Sequence, residues 1–242
     1  MPSVSATPPA GNYLFDDEFD GTTVDTAKWY IGNRPGDASN NESGCYIPSN
    51  VSEGGGFLTL TAKADSSCSG FKYTAGMVAW NTFNYTHGTL EFRAKFTNGN
   101  GTWPAAWMLG HNCQAAWQTT AENVGTCDWP MKGSEEVDIS EFKSEGPSVV
   151  WQNVVQDNAN AFLTCKPNVS DSSKNFHVYS FVWSAGSIEW KIDGQSTCTQ
   201  SSEIPSAGMF MIFNIAMGGA GGSINNGALP QTMQVDYIRV SK

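Results

Sequence analysis

The chain has 242 residues, enough for one large β domain or two small ones, and a formal net charge of −10. That charge repels nucleic acid and anionic membrane, and no apolar run is long enough to span a bilayer, so neither is expected as a partner. Charged residues make up only 15%, with 25 glycines, 11 prolines and no sustained 3.6-residue apolar period, which favours many short strands joined by turns.

Residues 1–12 lack the basic start and apolar stretch of a signal peptide and read as a flexible Pro/Ser/Ala lead-in. No linker or repeat divides 13–242, which reads as one domain. Strands are expected at Phe57–Ala62, Gly76–Trp80, Gly88–Phe96, Glu136–Phe142, Val149–Gln156, His177–Trp183, Ser187–Asp193, Met209–Ala216 and Met233–Val240. The sharpest alternation sets Leu90, Phe92, Ala94 and Phe96 against Thr89, Glu91, Arg93 and Lys95. One short helix is expected at Gln114–Asn123. Strands at this spacing suggest two antiparallel sheets packed as a sandwich or jelly roll, an all-β fold.

Six cysteines, with no C-x-x-C spacing and only three histidines, point to disulfides in an oxidising compartment rather than zinc. Of the fifteen pairings that six cysteines allow, the one expected joins sequence neighbours: Cys45–Cys68, Cys113–Cys127 and Cys165–Cys198. An acidic, disulfide-bonded chain without a membrane span suits a secreted protein acting on a neutral substrate.

Glu136-Val137-Asp138-Ile139-Ser140-Glu141 places three carboxylates in six residues. On a regular strand Glu136 and Asp138 share a face and Glu141 lies opposite. One extra residue, a β-bulge, returns Glu141 to the acidic face, and bulges are common beside active sites. Crowded acids repel and raise at least one pKa, so a proton donor stands beside an ionised base, the pair that glycoside hydrolysis requires. A merely solvated acidic face is the alternative; Trp129-Pro130 just upstream and the many other aromatics favour an active site.

The same residues resemble the E-x-D-x-x-E signature of glycoside hydrolase family 16, in its laminarinase-like, bulged form. Asp16 to Gly21 with Lys28-Trp29, Asn40-Asn41-Glu42 through Tyr46 with Asn50-Val51, and Gly101 to Leu109 with its W-P-A-A-W core are similar to family segments in the same order. Phe213 to Gly219 and Val235 to Val240 resemble its closing strands. The resemblance implies a β-jelly-roll with a concave glycan cleft and a secreted, retaining endo-β-1,3-glucanase, expected to act as a monomer on a polysaccharide without a catalytic cofactor. It implies Glu136 as nucleophile, Glu141 as acid/base and Asp138 as helper to the nucleophile. Asn41, Arg93, Trp103, Trp107 and Trp129 are carried over as substrate contacts. Glu18, the Gly56 carbonyl and Asp236 are carried over as oxygen ligands of a structural calcium. Two positions depart from the pattern: Glu135 where such enzymes usually have glycine, and Val155 where they often have histidine. Mixed-linkage β-1,3-1,4-glucanases, galactan hydrolases and a non-catalytic lectin-like jelly roll remain as rivals.

Overall fold

A computed structural model of the chain describes residues 11–119, 127–156 and 163–242. Its strands run in chain order as β1 (Phe15–Asp17), β2 (Trp29–Ile31), β3 (Arg34–Pro35), β4 (Gly44–Tyr46), β5 (Val51–Glu53) and β6 (Leu58–Ala64). Then follow β7 (Tyr73–Ala75), β8 (Met77–Trp80), β9 (Gly88–Lys95), β10 (Thr102–Gly110), β11 (Glu136–Glu141) and β12 (Trp151–Val155). The last are β13 (Leu163–Cys165), β14 (His177–Trp183), β15 (Ile188–Ile192), β16 (Gln195–Gln200), β17 (Met209–Met217) and β18 (Gln231–Ser241). The helix, α1, spans Gln114–Thr119; the rest of its expected range lies outside the described residues.

Two sheets form, as the spacing of strand signals predicts. The larger has eleven strands and runs β16-β15-β14-β9-β18-β6-β7-β4-β3, with β1 beside β18 and β5 beside β6. The other has seven, in the order β13-β12-β11-β10-β17-β8-β2. Every pair is antiparallel except β4–β7. Together with the single short α-helix among the described residues, this is the all-β jelly-roll class.

Period-2 alternation builds the core between the sheets. Leu90, Phe92 and Ala94 of β9 are fully buried, and Phe92 stacks on Tyr179 of β14 with ring centroids 5.3 Å apart. From the smaller sheet, Val137 and Ile139 of β11 and Phe213 and Ile215 of β17 fill the same apolar cluster. The opposite faces of those strands are left for the cleft.

β10, at the centre of the smaller sheet, escapes the sequence reading as a strand. Pro104 has no N–H to give a ladder, and proline inside a run normally marks a sheet edge. Here its carbonyl still accepts from Phe142 N at 3.1 Å, and the strand pairs with β17 over all nine residues. The three disulfides join Cys45–Cys68, Cys113–Cys127 and Cys165–Cys198, the sequence neighbours.

Candidate active site

The bulge in β11 is present and does what the spacing demands. Asp138 pairs with Asn153 of β12 and Glu141 with Trp151, so two residues on β11, Ile139 and Ser140, oppose the single Gln152 on β12. The same shift appears against β10, where Ala106 pairs with Ser140 and Trp107 with Asp138. The extra residue turns Glu141 to the face of Glu136 and Asp138, while Val137 and Ile139 stay in the core. A bulge disturbs the ladder locally; here Trp190 Nε1, reaching across from β15, donates to the Asp138 carbonyl at 3.0 Å.

Alternate residues of the neighbouring strands complete an open cleft of roughly 310 Å³ around the acids. β10 contributes Trp103, Ala105 and Trp107, β17 contributes Asn214 and Ala216, and β12 contributes Trp151, Asn153 and Val155. Five of the nine tryptophans line it: Trp103, Trp107, Trp117, Trp129 and Trp151. The other four, Trp29, Trp80, Trp183 and Trp190, are core. Gly219, at φ 54°, allows one wall to close, since a Cβ there would lie 2.6 Å from Asn40 O and 3.0 Å from the Trp103 ring.

Each carboxylate has its own donors. Trp129 Nε1 donates to Glu136 Oε2 at 3.0 Å. Asn153 Nδ2 donates to Asp138 Oδ2 at 2.8 Å and to Glu141 Oε2 at 3.2 Å. Trp103 Nε1 donates to Glu141 Oε1 at 2.6 Å, and Lys143 Nζ stands 3.1 Å from Glu141 Oε2. Trp107 Nε1 instead donates to Asn214 Oδ1, whose amide donates to Tyr46 OH, which donates to Glu42.

All three acids are harder to ionise than free carboxyls. Burial, then the charge of Glu141, pushes Glu136 up to about 7. Burial and both neighbouring glutamates hold Asp138 well above the usual range. Glu141 is raised by burial but pulled back by Lys143 and Trp103. The three therefore titrate as one coupled set that holds protons to higher pH than free carboxyls do.

Sequence reasoning located Glu136, Asp138, Glu141, Trp103, Trp107 and Trp129 around one cleft. Two expectations about the walls are corrected. Arg93 lies on β9 in the other sheet, ion-paired to Asp236 at 2.6 Å and packed over the Phe176 ring, away from the cleft. Asn41 is exposed at φ 58°, and its neighbours Asn40 and Glu42 line the cleft instead. Of the two departures, Glu135 does not reach the cleft; its buried carboxylate accepts from Gly133 N at 2.6 Å. Val155 lines the cleft directly opposite Glu136, leaving Trp129 as the one side-chain donor on that glutamate among the described residues.

The expected calcium ligands do not fit a cation as arranged. Arg239 grips both Glu18 oxygens at 2.7 Å, and Arg93 holds Asp236, so guanidinium groups already neutralise the two carboxylates. Gly56 sits at φ 83° in the turn between β5 and β6. No group of three or more metal-suited side chains occurs among the described residues.

Sequence reasoning missed Asn153, Asn214, Arg34, Trp117, Trp151 and Lys143 as part of the site. Asn214 carried a signal, being the lone amide within an otherwise apolar strand, whereas Asn153 follows another amide, Gln152, and did not stand out.

The sequence profile of the glycosyl hydrolases family 16 matches residues 39–239. The chain belongs to that family. It is 31% identical over 273 residues to glucan endo-1,3-beta-glucosidase A1 of Niallia circulans, covering 96% of this chain but 38% of that protein. It is 30% identical to a beta-glucanase of Rhodothermus marinus, covering 96% of this chain and 85% of the relative. Among solved structures, the catalytic domain of an endo-1,3-beta-glucanase (laminarinase) from Thermotoga petrophila superposes with a TM-score of 0.83 at 27% identity, covering 96% and 97% of the two chains. The chain thus spans less than half of the first relative's length and nearly all of the isolated catalytic domain.

Proposed function

We propose that the protein is a secreted, retaining endo-β-1,3-glucanase. The observation that carries this reading is the bulge in β11, which gathers Glu136, Asp138 and Glu141 on one tryptophan-lined face. A lectin-like jelly roll has use for the tryptophans but none for three coupled, proton-retaining acids. The names of the Niallia and Rhodothermus relatives support a β-glucan as substrate, and the three disulfides support export to an oxidising compartment.

In the first step ionised Glu136 attacks the anomeric carbon while Glu141 gives its proton to the departing glycosidic oxygen. A glycosyl ester on Glu136 results. In the second step Glu141 takes a proton from water, whose oxygen attacks the same carbon and releases Glu136. Protonated Asp138 assists by sparing ionised Glu136 an adjacent negative charge. Trp103 and Trp129 contribute both ring faces for sugars and indole N–H groups that aim the carboxylates. Residues 13–242 form the catalytic unit, acting as a monomer.

A product profile on laminarin, curdlan, lichenan and agarose tests the substrate assignment. Fastest release of reducing ends from laminarin is expected. Faster cleavage of agarose would overturn the reading, and preference for lichenan would move it to mixed-linkage glucan.

A further inference from the structure

Just beyond β11 the chain returns a lysine over the last of its acids. Lys143 Nζ is 3.1 Å from Glu141 Oε2 and 4.1 Å from the centroid of the Trp151 ring. The pair is mostly shielded from water, with side-chain exposures of 22% for Lys143 and 6% for Glu141, so salt screens it weakly. Lys166 Nζ lies 3.4 Å from the same ring and 3.7 Å from Glu145, so the other nearby cation has its own anion. Lys143 is therefore committed to Glu141.

The charged groups around Glu141 make that commitment matter. On its own strand stand Glu136 and Asp138, and from the following turn come Lys143 and Glu145. Lys166 is held beyond Trp151, while β10 and β12 present only the neutral Trp103 and Asn153. Lys143 is thus the one cation in contact with the acidic cluster among the described residues. A carboxylate offers about four acceptor sites. Trp103 takes one on Oε1, and Asn153 and Lys143 take two on Oε2, which leaves one for a proton.

We propose that Lys143 is a positioning residue for Glu141: its ammonium fixes the carboxylate and sets the pH above which Glu141 no longer carries the proton needed by the departing sugar. This rests on Glu141 being the acid/base. An adjacent cation favours the ionised carboxylate, so removing it raises the pKa of Glu141, by about 1–3 units for such pairs. Activity that needs protonated Glu141 then survives to higher pH, while the acidic side, where Glu141 is protonated in both proteins, is unaffected.

The test is the ratio of kcat/KM for Lys143→Met to that of the wild type on laminarin, followed from acid to alkaline pH. The ratio is expected to climb at least about tenfold across that range. Lys143→Gln, a second neutral variant, is expected to give the same climb, and Lys143→Arg a flat ratio. With a dinitrophenyl β-laminaribioside, whose leaving group needs no proton, the Lys143→Met ratio is expected to stay flat. A flat ratio on laminarin for both neutral variants would overturn the proposal and leave Lys143 a packing residue. A ratio that falls towards acid pH with both substrates would instead mark Glu141 as the ionised nucleophile, overturning the role on which the proposal rests.

Discussion

Trp129→Phe isolates the indole hydrogen bond that favours ionised Glu136. The indole N–H donates to Glu136 Oε2 at 3.0 Å, and the facing Val155 offers no second donor. Phenylalanine keeps a smaller ring face for the sugar and removes the donor. A hydrogen bond to a charged group contributes about 1.5–3 kcal/mol. At about 1.4 kcal/mol per unit, its loss raises the Glu136 pKa by about 1–2 units, on top of a value already near 7. On the proposed role of Glu136 as nucleophile it must be ionised, so a raised pKa costs activity where protons compete for it. Relative to wild type, kcat/KM on laminarin should fall about 10- to 100-fold at acid pH and recover as pH rises above the shifted pKa. The assay is the mutant-to-wild-type ratio of kcat/KM across the pH range. A ratio independent of pH would refute the reasoning, because lost stacking alone lowers all points equally.

Glu136→Gln tests the same burial through stability. A carboxyl whose folded pKa rises from 4.5 to about 7 binds more protons folded than unfolded, so stability is full below the unfolded pKa and declines as pH climbs to the folded value. Glutamine cannot ionise, and the variant should gain up to about 3 kcal/mol over wild type above neutrality and almost nothing at acid pH; denaturant unfolding at both pH values checks this. Arg93→Ala should leave kcat/KM on laminarin unchanged and cost about 0.5–1 kcal/mol, since its ion pair with Asp236 is part-exposed and on the other sheet. A raised KM in that variant would return Arg93 to the cleft.

The acidic strand was legible because its chemistry and its geometry agree. Alternation placed Val137 and Ile139 in the core, and only a bulge could then reconcile Glu141 with the other two acids. Arg93 was not legible, because period-2 alternation tells which face of a strand is polar but not which sheet the strand joins. Its true partner, Asp236, is 143 residues away. Glu18 and Arg239 meet across 221 residues for the same reason. β10 was recognised by its W-P-A-A-W core yet not as a strand, since Pro104 breaks the rule for central strands that its carbonyl then satisfies. Lys143 follows β11 in an ordinary polar turn, where nothing in sequence tells a surface lysine from one folded back onto Glu141.

The roles of the two glutamates are tested most directly by rescuing Glu141→Ala with azide on an aryl β-glycoside that needs no acid to depart. With Glu136 as nucleophile, the intermediate forms on it and azide attacks from the opposite face, so the account predicts a β-glycosyl azide. An α-glycosyl azide from Glu141→Ala, or wild-type hydrolysis of laminarin by that variant, would contradict it.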